Sequence, residues 1–181
     1  MITPRPTLYA LVQAAVEATG ADRGWLLAIA DESDAGSFVV AAAFGHGGAA
    51  SLVGIPRERR GFAGFAFASG QPAALQPRAD DVDNFGAGGA DGVPRSLLAV
   101  PCVANEALGV LELVDAVGGS FGFDDVETAS LLADIAGAAL AEPMSTWEPP
   151  SPERLAVLLS SLAMRDPSRY AEVARFVEAM T

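Results

Sequence analysis

Residues 96–114 read SLLAVPCVANEALGVLELV, two apolar runs separated by Ala104-Asn105-Glu106. Short apolar runs around a three-residue polar break are the pattern of two strands joined by a turn. The segment is therefore expected to form a β-hairpin, Ser96–Val103 with Ala107–Val114. Glu112 interrupts the second run between Leu111 and Leu113. Side chains alternate across a strand, so if those leucines face core helices, Glu112 faces the other side of the sheet.

The hairpin sets the reading on either side of it. Downstream, Asp124 or Asp125 is placed to cap a helix that runs to Leu140 and is apolar on most of its circumference, the mark of a helix buried on more than one side. Upstream, residues 77–94 form a long irregular stretch rich in Asp, Gly and Ala, and loops of that length are usually functional or mobile. Ala73–Gln76 is short enough for an edge strand. Before it lies GFAGFAFASGQP, residues 61–72, a short helix stopped by Gly70 and Pro72. Gly64 should weaken that helix by about 1 kcal/mol relative to Ala, which suits a close approach to the sheet. Phe62 and Phe65, three apart, are expected to share its pocket side, with Phe67 pointing elsewhere.

Nearer the N-terminus, residues 7–19 show helical spacing between the cap candidates Thr7 and Gly20. Trp25–Ala30 and Phe38–Phe44 read as a first hairpin, and Leu52–Ile55 as a short strand stopped by Pro56. The order of elements predicts an α+β domain on one central antiparallel sheet. Terminal helices pair on one face, and a short helix with the long loop covers the other. This domain spans residues 1–142, a proline-rich linker spans 143–152, and a pair of amphipathic helices fills 153–181. Ser151 and Asp166 are the expected caps of that pair, each followed by a proline.

Composition narrows the chemistry. The 181 residues carry a net charge of −12, and all 11 basic residues are arginine. Such a chain, without a basic run, is not expected to bind nucleic acid or an anionic membrane surface. The lack of lysine excludes a Schiff base and a P-loop lysine. Cys102 is the single cysteine and His46 the single histidine, which argues against disulfides, cysteine-rich metal sites and His-pair zinc sites. No stretch reaches the ~18 apolar residues needed to span a bilayer, and a cytoplasmic protein is expected.

Three segments, in order, resemble the GAF domain family over roughly residues 6–141. They are EATGADRGWLLAIAD, GFAGFAFASGQPAAL, and the stretch from PRSLLAVPC to the helix opened by Phe121-Gly-Phe-Asp-Asp. The resemblance implies a sheet of about six strands, a pocket between the sheet and the short helix with its loop, and dimerisation through the terminal helices. It does not imply one ligand, because the family's members bind different small molecules or none. Bilin attachment needs a suitably placed cysteine, whereas Cys102 sits mid-strand without a histidine neighbour. Free methionine sulfoxide reductases of this fold work between cysteines, and one thiol does not close that cycle. The lysine of the cyclic-nucleotide signature is absent.

The expected ligand-binding residues are Phe44, Phe62, Phe65, Phe85, Arg95, Ser96 and Glu112. Arg95 either meets an anionic ligand or pairs with one of Asp80, Asp81 and Asp83. Glu112 either binds a ligand or Arg95, or lies at an open part of the sheet. Arg57-Glu58-Arg59-Arg60 reads as a solvated turn in preference to an anion clamp beside the short helix, and His46 as a solvent-exposed loop residue in preference to a haem axial ligand. No metal, cofactor or catalytic residue is expected beyond an unidentified small-molecule ligand. The function expected is a non-catalytic sensory or regulatory domain, a homodimer signalling to a separate output protein. The alternative is an adaptor whose pocket is plugged by phenylalanines and whose C-terminal helices dock a partner.

Overall fold

A computed structural model describes residues 5–30, 36–78, 93–142 and 151–178. The chain divides into two compact units, Met1–Pro143 and Met144–Thr181. The first begins with α1, Pro6–Thr19, and continues through strands β1, Arg23–Ile29, and β2, Ser37–Gly45. A 3₁₀ turn at Ala49–Leu52 leads to β3, Pro56–Glu58, then α2, Gly61–Ser69, and β4, Ala73–Leu75. The quoted hairpin forms β5, Leu97–Val103, and β6, Ala107–Val114, and α3, Phe123–Ala141, closes the unit. The six strands make one sheet in the order β3-β2-β1-β6-β5-β4, with antiparallel neighbours throughout.

Alternation along the strands sorts the side chains into two cores. Leu98, Val100 and Cys102 of β5, with Leu111 and Leu113 of β6, pack with Leu8, Val12 and Val16 of α1 and Ala129, Ala133 and Ala136 of α3. Their neighbours Leu97, Ala99, Val110 and Val114 face the opposite side, where Ala63 and Ala66 of α2 meet them. Each fully buried leucine or valine stabilises the fold by about 1.5–3 kcal/mol. Helix α3 lies so close to β5 that a Cβ on Gly137 would collide with the Val103 backbone. The start of α1 is tied down by Arg5, whose guanidinium donates to the Ala139 carbonyl at 2.8 Å. Gly20 ends α1 in the left-handed conformation, φ 63°.

Three local expectations are corrected. Thr7 lies inside α1, whose cap position is Arg5, because Pro6 already starts the first turn. The strand expected at Leu52–Ile55 is a turn, and the strand begins at Pro56. Proline is acceptable there because β3 is an edge strand, paired only with β2, and its missing N–H is not needed. At α3, Gly122 is the cap residue rather than Asp124 or Asp125. Asp125 reaches back from the first turn and accepts the Gly122 N–H at 2.7 Å.

The second unit holds α4, Pro152–Arg165, and α5, Pro167–Glu178, which pack on each other. Ser151 accepts the Arg154 N–H at 3.3 Å and Asp166 that of Arg169 at 3.0 Å, as capping side chains do. No residue of α4 is buried, and Leu155, Leu158 and Met164 are exposed.

Candidate functional site

The α2 face of the sheet contains a charged cluster in an otherwise apolar layer. Trp25 on β1 stands opposite Glu112 on β6, and its indole Nε1 donates to the Glu112 carboxylate at 2.5 Å. Arg57 on β3 is only 8% exposed, and its guanidinium carbon lies 6.0 Å from the Trp25 ring centroid. Burial pushes the Glu112 carboxyl above its ordinary range, opposed by the Trp25 hydrogen bond and by Arg57. Burial pushes the Arg57 guanidinium down, opposed by Glu112. A part-buried carboxylate, a buried guanidinium and an indole N–H in one place provide both acceptor and donors for a polar ligand. Sequence reading ranked a solvated turn above an anion clamp for Arg57–Arg60 and left Arg57 out of the expected site, whereas Arg57 is buried. Its signal is positional: it sits between Pro56 and Glu58, both exposed, on a strand where alternate residues turn inward.

Helix α2 covers this face through Ala63 and Ala66. Residues 62 and 67 lie about 70° to either side of that seam at 100° per residue, and residue 65 lies about 130° away. Phe62 and Phe67 accordingly pack against the layer, Phe67 edge to face with Phe38 at 5.4 Å, while Phe65 is 59% exposed. The expectation that Phe62 shares a face with Phe65 is thus replaced by a pairing of Phe62 with Phe67. Gly64 does not face the sheet either. A Cβ there would press on the Arg59 backbone at 3.0 Å, so the glycine admits the chain entering the helix.

Phe44 is on the other face, edge to face with Tyr9 of α1 at 5.6 Å. The cause is a bulge: Leu26 pairs with Ala42 but Leu27 with Val40. The extra residue, Ala41, reverses the alternation, so Phe38 and Val40 face α2 while Ala42 and Phe44 face α1. Arg95 does not meet Glu112. Its side chain, 76% exposed, lies 3.7 Å from Asp115 Oδ1, and the same oxygen accepts its backbone N–H at 2.7 Å. Ser96 is fully buried, with its Oγ accepting the Ala116 N–H at 2.9 Å. Both residues thus join the start of β5 to the end of β6. Phe85, and the acids Asp80, Asp81 and Asp83, lie outside the described residues.

Elsewhere, Cys102 is buried and its thiol is pushed up to about 12, chiefly by desolvation. His46 is exposed, with Nδ1 3.1 Å from Asp22 Oδ1. A cleft of about 460 Å³ opens where α1 ends, bordered by Tyr9, Val16, Asp22, Phe44, His46 and Val117. Among the described residues no His, Cys, Asp and Glu cluster suits a metal ion, and no helix is long and apolar enough to cross a membrane.

One antiparallel sheet with the first and last helices paired on one face and a lone short helix on the other is a GAF-type α+β architecture. The sequence model of the GAF domain matches residues 3–141, and the chain belongs to that family. The GAF-B domain of DevS from Mycobacterium smegmatis is similar in structure, with a TM-score of 0.58 and 22% identity over 74% of this chain and 90% of that one. The GAF domain of an Acinetobacter phosphoenolpyruvate-protein phosphotransferase gives a TM-score of 0.64 and 16% identity, covering 79% and 85%. A type II free methionine-R-sulfoxide reductase from Thermoplasma acidophilum gives 0.58 and 15%, covering 75% and 91%. At such identities the likeness is one of fold. No curated protein sequence matches the chain.

The reductase overturns the expectation that this chain is not an enzyme. A catalyst shares the fold over 91% of its own length, so a count of cysteines and histidines does not decide catalytic status.

Proposed function

We propose that this chain is a sensory or regulatory GAF domain that binds a small polar molecule on the α2 face and signals, as a homodimer in the cytoplasm, to a separate partner protein. The observation that carries the reading is the cluster of Arg57, Glu112 and Trp25 beneath α2. Charged groups in an apolar layer are kept there at a desolvation cost, and this set offers the acceptor and donors that a polar ligand needs. Ligand entry would compete for the Trp25–Glu112 bond and displace α2, shifting the population of bound and free states.

A second reading, the adaptor, draws on the close contact of Ala63 and Ala66 with the sheet and the flanking rings of Phe62 and Phe67. Native mass spectrometry of the purified chain separates the two. A small molecule that co-purifies with the wild type and is lost from Glu112→Gln supports sensing. A bare chain in both, with no change in Trp25 fluorescence across a metabolite panel, rejects it.

A further inference from the structure

The cleft at the end of α1 is lined by residues of α1, the end of β2 and the turns beside them, and none of Trp25, Arg57 and Glu112 is among them, so its chemistry is independent of the α2-face reading. Its volume of about 460 Å³ falls within the ~300–1,000 Å³ of small-molecule sites. Its ionisable side chains besides Tyr9 are two carboxylates and one imidazole, that of His46. Tyr9 and Phe44 meet edge to face at 80° in the wall, and aromatic faces attract cations. Glu17 and Asp22 stand beside them, Glu17 held by the Gln13 amide at 2.8 Å and Asp22 by its contact with His46. Gly20 and Ala21, also in the wall, mark the C-terminus of α1. No basic side chain occupies the last turn of that helix, so the helix itself leaves the negative end of its dipole uncompensated. The lining contains no arginine, and the chain's net charge of −12 concentrates cations near the surface.

We propose that this cleft binds a small organic cation, with an ammonium or quaternary ammonium head against Tyr9 and Phe44 and with Glu17 and Asp22 as counter-charges. Hydrated metal ions are a poor match, because rings and the apolar Val16 and Val117 make up much of the wall and offer no oxygen ligands.

Amide NMR of the full chain tests this with tetramethylammonium, choline, butylamine and 3,3-dimethylbutan-1-ol, the neutral carbon copy of choline. The three cations should shift the amides of Glu17, Gly20, Asp22 and His46, and the alcohol should bind about fivefold more weakly than choline. Glu17→Gln with Asp22→Asn, both at the surface, should weaken choline about tenfold with little effect on the alcohol. Equal binding of choline and the alcohol, shifts confined to other residues, or no shift with any of the three cations overturns the proposal. Loss of the α2-face ligand by Glu112→Gln leaves these outcomes unchanged, so the two readings fail separately.

Discussion

The indole N–H of Trp25 and the carboxylate of Glu112 lie 2.5 Å apart on adjacent strands, inside a layer that is otherwise built from alanine, valine, leucine and phenylalanine. Arg57 approaches from the edge strand and completes a small charged island. The balance within that island is set by desolvation, the largest influence on both charged groups.

The raised Glu112 carboxyl makes stability depend on pH. A carboxyl whose folded value is raised favours the folded state most fully at low pH, below its ordinary value of 4.5. That contribution is lost as pH rises through the raised value. Relative to the wild type, Glu112→Gln should therefore gain in urea midpoint as pH rises from 4 to 8, on top of a pH-independent loss from leaving Arg57 without its counter-charge. A constant difference across that range would refute the argument.

Removing only the guanidinium should be harmful. Arg57→Met takes away the charge that opposes the desolvation of Glu112 and should destabilise by about 2–3 kcal/mol. This is below the usual range for a fully buried pair because Glu112 is only partly buried. The double variant Arg57→Met, Glu112→Gln should recover about half of the loss, since no buried charge is then left unopposed. Strict additivity in chemical denaturation would show that the two groups do not interact.

The rings of α2 should differ in consequence. Phe65→Ser, at the exposed position, should change stability by less than about 0.5 kcal/mol. Phe67→Ala removes the ring that meets Phe38 and should cost about 2–3 kcal/mol. Thermal unfolding of the two variants side by side measures this, and equal losses would contradict the assignment of their faces.

Gly137→Ala sets helix propensity against packing. Alanine gains about 1 kcal/mol in a helix interior, but its Cβ would collide with the Val103 backbone, and overpacking of that kind costs about 1–3 kcal/mol. Because the obstacle is backbone rather than a flexible side chain, the net effect should be a lower melting temperature. A rise in melting temperature would mean that α3 shifts freely along β5.

The Cys102 thiol, pushed up to about 12 inside the core, should be almost unreactive towards a disulfide reagent at pH 8 in the native protein and react fully in urea. Fast native labelling would place the thiol nearer to solvent than its burial allows.

Much of this architecture was legible in the linear chain. Strand alternation placed Glu112 opposite Leu111 and Leu113, and the Ser151, Asp166 and Gly20 caps marked helix ends, because backbone geometry and capping act over a few residues. Long-range pairing decided the rest. Phe44 lies on the α1 face because one extra residue in β2, Ala41, is accommodated against β1, and no local period announces a bulge. Arg57 is buried because an edge strand brings it beside Trp25, and Trp25 meets Glu112 because β1 and β6 pair in one register. Those alignments minimise the free energy of the whole sheet rather than of any segment. The sequence by itself therefore determined the order of helices and strands, the edge strand at Pro56 excepted, and the tertiary structure decided which polar groups share a site.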